Sequence, residues 1–140
     1  MKVGDVMSRH VRTVSATDTI QSAARQMADI DAGSLPVLDG ETLKGMVTDR
    51  DIVIRAVGEG RSFDTPVSAV MTPDVACCFE DEDLEEAADK MAAQQIRRLP
   101  VLDRKQRLVG ILALGDIARR AKEKTTGQTL EDISRPSRHA

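Results

Sequence analysis

The segment GMVTDRD, Gly45 to Asp51, sets a hydroxyl three residues ahead of a carboxylate where an apolar run gives way to charge. A strand running into a helix at this point puts Thr48 and Asp51 together at the helix start. Free N–H groups and the positive end of the helix dipole favour an anion there. The Asp51 carboxylate can accept from two neighbouring hydroxyls, as a ribose presents them. Thr48 can donate to a phosphate oxygen, and Arg50 between them is a cation for the same phosphate. The same two side chains also suit a helix cap, because both satisfy exposed N–H groups. Later in the chain GILALGD, Gly110 to Asp116, repeats the pattern with Ala113 in place of Thr48 and Gly115 in place of Arg50.

This likeness extends over most of the chain. Val3–Ala56 aligns with Val67–Ala121 after a single insertion behind Asp103. The matches fall in ordered clusters: VxxVM at Val3–Met7 and Val67–Met71, AAxxMA at Ala23–Ala28 and Ala87–Ala92, LPVLD at Leu35–Asp39 and Leu99–Asp103. Each copy opens with a β-prone run, VRTV (Val11–Val14) or VACC (Val75–Cys78). A cap-rich stretch follows, with Thr17 or Asp18 in one copy and Asp81 or Asp83 in the other; Glu86 stands three residues beyond Asp83, the spacing of a capping box. Apolar residues at Ile20, Ala23, Ala24, Met27 and Ile30, and at Leu84, Ala87, Ala88 and Met91, predict helices with one buried face. Two strands around the DGET and DRKQ turns come next, then a second helix at the aspartates.

The expectation is an α/β (α+β) chain of two β-α-β-β-α repeats packed sheet to sheet with pseudo-two-fold symmetry. A three-stranded sheet covered by helices on one face needs a partner for the other, and the sister repeat is the natural one. The bounds are 1–57 for the first repeat, 58–66 for a linker of turn-forming composition, 67–121 for the second repeat and 122–140 for a polar tail. One short helical turn is expected in the tail at 129–134.

Composition excludes several functions. Two phenylalanines, Phe63 and Phe79, are the whole aromatic content, and the net charge is −3. A nucleic-acid binder that stacks bases on aromatic rings and neutralises phosphates is poorly served by that. No apolar stretch is long enough to span a membrane, and no export signal is present, so a cytoplasmic location is expected. The adjacent Cys77 and Cys78 make no disulfide framework.

The residues VMS, LPVLD and GMVTDRDI, repeated as VMT, RRLPVLD and GILALGDI, resemble a tandem pair of cystathionine β-synthase (CBS) motifs, the arrangement called a Bateman module. The small stand-alone bacterial pairs of the hypoxic-response type are particularly similar. The resemblance covers roughly residues 1 to 121 and implies a regulatory module without catalytic activity. Adenine nucleotides (AMP, ADP, ATP or a relative such as NAD) would bind in clefts that draw on both repeats. It also implies a homodimer joined through helical faces, and an unidentified protein target.

On that resemblance the main cleft combines Thr48, Arg50, Asp51, Ser34, Val75 and the adjacent Arg97 and Arg98. The second combines Asp116, Gly115, Val11 and Gly33. Loss of the threonine hydroxyl at Ala113 removes one hydrogen bond to a charged group, worth about 1.5–3 kcal/mol, so the Asp51 cleft is expected to be the tighter. Two alternatives stand beside this reading. The chain could be a ligand-independent adaptor whose Thr48 and Asp51 only cap a helix, or a metal or redox sensor through Cys77 and Cys78. Metal ligation is not expected from spacing: only His10 and His139 could assist the cysteines, and the acidic run Glu80–Glu86 lacks the pattern of a calcium loop. No nucleophile with a neighbouring base is legible, so no enzyme is expected.

Overall fold

The computed structural model describes residues 1–123; the expected turn at 129–134 and His139 lie outside the described residues. In the first repeat β1 (Val14–Ser15) leads to α1 (Ile20–Ile30), β2 (Ser34–Asp39) and β3 (Thr42–Thr48). Helix α2 (Asp49–Asp51) then widens into a π-type continuation over Ile52–Val57. The second repeat begins with the short β4 (Thr72–Pro73), followed by β5 (Cys78–Phe79), α3 (Leu84–Gln94), β6 (Arg98–Leu102) and β7 (Leu108–Ala113). The final helix, α4, occupies 114–123.

Side-chain alternation gives each strand two duties. Leu35, Val37 and Val47 point to one core with Ile20, Ala23 and Met27, while Leu99, Val101 and Leu112 point to the other with Ala87 and Met91. The residues between them, Pro36 opposite Met46 and Pro100 opposite Ile111, turn away from their own helices and toward the sister sheet. A bridge between Thr42 and Arg107 joins the two hairpins. The mixed α/β architecture with two small facing sheets is thus as the repeat pattern predicts.

Neither repeat is self-contained. Val67 and Val70, from the start of the second repeat, are fully buried in the first repeat's core; Val3 and Met7, from the start of the first, lie in the second repeat's core. The swapped segments also extend the sheets. Strand β4 pairs with β3 to make the order β1-β2-β3-β4, and Ser8 bridges to Ile111 beside the β5-β6-β7 sheet. The glycines of the two repeated motifs permit this. A Cβ on Gly45 would run into the Thr72 carbonyl, and one on Gly110 would lie 2.6 Å from Met7 Sδ and 2.7 Å from Ser8 O.

Local boundaries differ from the sequence expectation in instructive ways. The first strand of each repeat pairs only from Val14 and Cys78 onward, so Val11 and Val75 lie outside the strands. Helix α1 is capped not by Thr17 or Asp18 but by Thr19, whose Oγ1 accepts from Ser22 N–H at 3.1 Å; Asp18 instead receives the Ser15 N–H at 2.8 Å. Asp83 does occupy the N-cap of α3, yet its side chain makes no cap bond and no box forms with Glu86. Its carboxylate lies 3.9 Å from the Met1 amino group, and Leu84 N–H donates to Met1 O at 2.9 Å. The exchanged N-terminal segment has taken over the cap. Of the predicted apolar stripe, Ala24 is exposed, because 23 and 27 face the core one turn apart and 24 falls off that line.

Two outcomes follow from this packing. Val67→Ala, although it alters the second repeat's sequence, destabilises the first repeat's core by about 2 kcal/mol or more. Because each repeat completes the other's core, calorimetry of that variant shows one shifted transition; two separated transitions would contradict the interlocked core. Thr48→Ala, which removes the cap of α2, lowers stability by about 1 kcal/mol in chemical denaturation.

Candidate functional site

The two crossing segments that build the fold also make its clefts. After pairing with β3, the chain leaves β4 and passes through Val75 and Ala76 to reach β5. After its bridge to β7, the chain leaves Ser8 and passes through His10, Val11 and Arg12 to reach β1. Each crossing lines a cleft between the sheets, where it has parted from the neighbouring strand.

The cleft beneath Val75 and Ala76 has a volume of about 340 Å³. Thr48, Ser34, Arg97 and Arg98 are its polar lining, and Met46, Ile96 and Pro100 its apolar walls. The cleft beneath Val11 has a volume of about 950 Å³ and contains Asp116, Gly115 and Ala113 at the start of α4. Five basic side chains line it: His10, Arg12, Arg97, Arg98 and Arg119. Ser34, Met46, Arg97 and Arg98 line both clefts, so they form the wall between them.

The predicted residues divide accordingly. Thr48, Ser34, Val75, Arg97 and Arg98 come together in the smaller cleft, and Asp116, Gly115 and Val11 in the larger. Arg50 and Asp51 line neither of these two clefts. Gly33 does not either; its carbonyl receives the Asp49 N–H at 2.9 Å and so anchors the start of α2. A Cβ at Gly33 would sit 3.0 Å from an Asp49 carboxylate oxygen, a contact that the exposed Asp49 side chain can relieve by turning away. The carbonyl of Arg97 receives Leu114 N–H at 2.8 Å, the equivalent tie for α4.

Asp51 is 9 % exposed and is committed to capping. Thr48 Oγ1 accepts from Asp51 N–H at 3.0 Å, while Asp51 Oδ2 accepts from Thr48 N–H at 3.0 Å. This reciprocal box satisfies two otherwise orphaned donors. The other oxygen, Oδ1, lies 3.9 Å from Arg55 Nε, and Arg55 Nη1 donates to the carbonyls of Val70 at 3.2 Å and Met71 at 3.1 Å. In the second repeat only half of the box survives: Asp116 Oδ2 accepts from Ala113 N–H at 3.3 Å, and Asp116 pairs with Arg119.

His10, Arg12 and Arg119 line the larger cleft, and the repeat alignment did not single them out. Two signals pointed to them: the basic cluster RHVR flanks Val11, and Arg119 stands one helical turn beyond Asp116. The hydroxyl and the cations therefore favour opposite clefts. Thr48 marks the smaller, and the additional basic side chains, set against the carboxylates of Asp31 and Asp116, mark the larger.

The cysteines stand apart from both clefts. Cys78 is buried, and its thiol is pushed up to about 12, chiefly by burial and then by the nearby Glu82. A thiol so disfavoured as thiolate is a poor nucleophile and metal donor. Among the described residues no group of three or more His, Cys, Asp and Glu side chains converges as a metal site. No helix among the described residues is long and apolar enough to cross a membrane.

Comparison with known proteins agrees with the geometry. The CBS domain family profile matches residues 3–58 and again 67–123. The CBS domain-containing protein YhcV of Bacillus subtilis is 44% identical over 138 residues, covering 98% of both chains. Hypoxic response protein 1 of Mycobacterium tuberculosis is 34% identical over 134 residues, covering 94% of this chain and 93% of that protein. Among solved structures, hypoxic response protein I with two coordinated zinc ions superposes with a TM-score of 0.77 at 34% identity, covering 85% of this chain and 98% of that one. CBSX2 in complex with AMP gives a TM-score of 0.79 at 29% identity, covering 89% and 98%. A CBS domain pair in complex with 5′-methylthioadenosine and S-adenosyl-L-methionine gives 0.76 at 30% identity with the same coverage. Two interlocked repeats, two clefts between their sheets and a family match to each half lead to one conclusion: this chain belongs to the CBS domain family, as a tandem CBS pair.

Proposed function

We propose that this chain is a non-catalytic regulatory module that binds adenine nucleotides in the clefts between its two CBS domains. The observation that carries this reading is the pair of clefts built jointly by both repeats, each joining apolar walls to the Arg97–Arg98 pair. Volumes of about 340 and 950 Å³ fall in the range of small-molecule sites. Relatives of the same fold have been solved with AMP and with S-adenosyl-L-methionine, which supports an adenine-bearing ligand here. Without an aromatic platform the base slots between aliphatic side chains such as Met46, Ile96 and Val75, and guanidinium groups take the phosphate.

Asp51 then has two duties, since one oxygen caps α2 and the other can receive a ribose. That contact draws Oδ1 away from Arg55 and loosens the tie between α2 and the Val70–Met71 carbonyls. Arg50 stands at the exposed start of the same helix, outside both clefts, so Arg97 and Arg98 carry the phosphate. Ligand thereby favours one arrangement of the repeats, and a partner protein reads the shifted population. The setting is cytoplasmic, where such nucleotides are held.

Val53, Ile54 and Val57 along the π-type continuation are 58, 51 and 68% exposed, and Leu114 at the start of α4 is 49% exposed. A soluble chain leaves few such stripes uncovered. We assign this surface to a homodimer contact between helical faces.

Titration calorimetry against AMP, ADP, ATP and NAD is expected to detect binding that Asp51→Asn weakens while the protein stays folded. Absence of heat with all four would favour the ligand-independent adaptor. Sedimentation analysis is expected to give a dimer that Val57→Glu converts to monomer; a monomeric parent chain would remove the dimer assignment.

A further inference from the structure

Arg97 and Arg98 line both clefts, and no ion pair engages either guanidinium among the described residues. Their backbone is fixed, through the pairing of Arg98 with Ala113 and the Arg97 carbonyl bond to Leu114. Their exposed side chains are long enough to lean either way. The two clefts differ in what remains once this pair is committed. The larger keeps His10, Arg12 and Arg119, with two carboxylates among them: Asp116, paired with Arg119, and Asp31. The smaller keeps no cation at all, because Thr48, Val75, Ala76, Gln94, Ile96 and Pro100 complete its lining together with the shared Ser34 and Met46.

We propose that the clefts compete for one pair of guanidiniums, so that they take ligands of different charge. The larger cleft holds a phosphorylated adenine nucleotide, and the smaller is left to an uncharged adenosine-type ligand. This rests on the nucleotide reading above and adds to it a division of labour and a sign of coupling. A phosphate in the larger cleft draws Arg97 and Arg98 toward Arg12. A second phosphate, in the smaller cleft, then meets only the neutral Thr48 hydroxyl, and charge-assisted bonds are roughly twice as strong as neutral ones. An uncharged ligand makes no demand on the arginines and needs only the apolar walls and the Thr48 hydroxyl. The smaller volume suits a ligand without a phosphate chain. Two phosphorylated ligands therefore antagonise each other, and a phosphorylated one coexists with an uncharged one.

The test is calorimetric titration of the intact chain with ATP, AMP and adenosine, singly and in sequence. ATP is expected to bind one site per chain, and adenosine to bind ATP-saturated protein about as tightly as free protein. The second equivalent of AMP should bind about 10-fold or more weakly than the first, within the usual span of inter-site coupling. Arg12→Ala should weaken ATP and leave adenosine binding in place, while Thr48→Val should weaken adenosine more than ATP. Two equal, independent AMP sites would overturn the proposal and leave the nucleotide reading standing. So would an ATP affinity that falls with Thr48→Val but not with Arg12→Ala. No binding of any of the three ligands would sink both.

Discussion

The exchange of opening segments between the two repeats is the constraint on which the rest depends. Val67 and Val70 complete one core and Val3 and Met7 complete the other, each worth about 1.5–3 kcal/mol on burial. A repeat folded alone would leave that apolar surface uncovered and its sheet one edge short. The exchange obliges each opening segment to travel from the sister's sheet back to its own, and those crossings are the roofs of the clefts. Stability and site thus arise from one topological requirement. The fold does not form and then acquire a pocket; the pocket is the gap between two strands that had to part.

The glycines of the repeated motif belong to this constraint rather than to the site. Gly45 and Gly110 occupy equivalent strand positions, and each has the exchanged backbone lying directly against its α-carbon. Only a residue without a side chain permits that approach. The Thr48–Asp51 pair is different in kind. It closes a capping box that any strand-to-helix junction could use, and its threonine borders a cleft only because the junction sits where the sheets face one another. The Arg55 tie then connects that box to the exchanged segment: an ion pair reaches Asp51, and hydrogen bonds reach the carbonyls of Val70 and Met71.

Much of this was legible from residues alone. The repeat is visible as ordered identities, the helices as apolar stripes of one face, and the strands as β-rich runs around polar turns. Legibility failed where long-range contacts overrode local preference. Asp83 has the spacing of a capping box with Glu86, yet the N-terminal segment from the other repeat caps α3. The first strand of each repeat has β-prone residues before Val14 and Cys78, but those residues cross between sheets and lack a ladder. In the site, the resemblance to CBS motifs pointed to the Arg97–Arg98 pair, and matching each repeat to its twin pointed to Thr48, Asp51 and Asp116. It could not point to His10, Arg12 or Arg119, since their equivalents in the other copy carry no matching charge.

By itself the sequence determined that there are two copies of one β-α-β-β-α unit, that one copy has a threonine where the other has an alanine, and that aliphatic rather than aromatic side chains must line any pocket. These are matters of residue identity and short spacing, which periodicity and hydrogen-bonding chemistry translate directly. Only the tertiary structure decided which residues share a cleft. Arg97 and Arg98 sit far in sequence from Ser34 and farther still from His10 and Arg12, and pairing of the sheets brings them to one wall. It also decided that Asp51 is held in a cap while Asp116 opens onto the larger cleft. The physical reason is that the surplus of positive charge in a cavity is a sum over segments that only the exchange between repeats brings together.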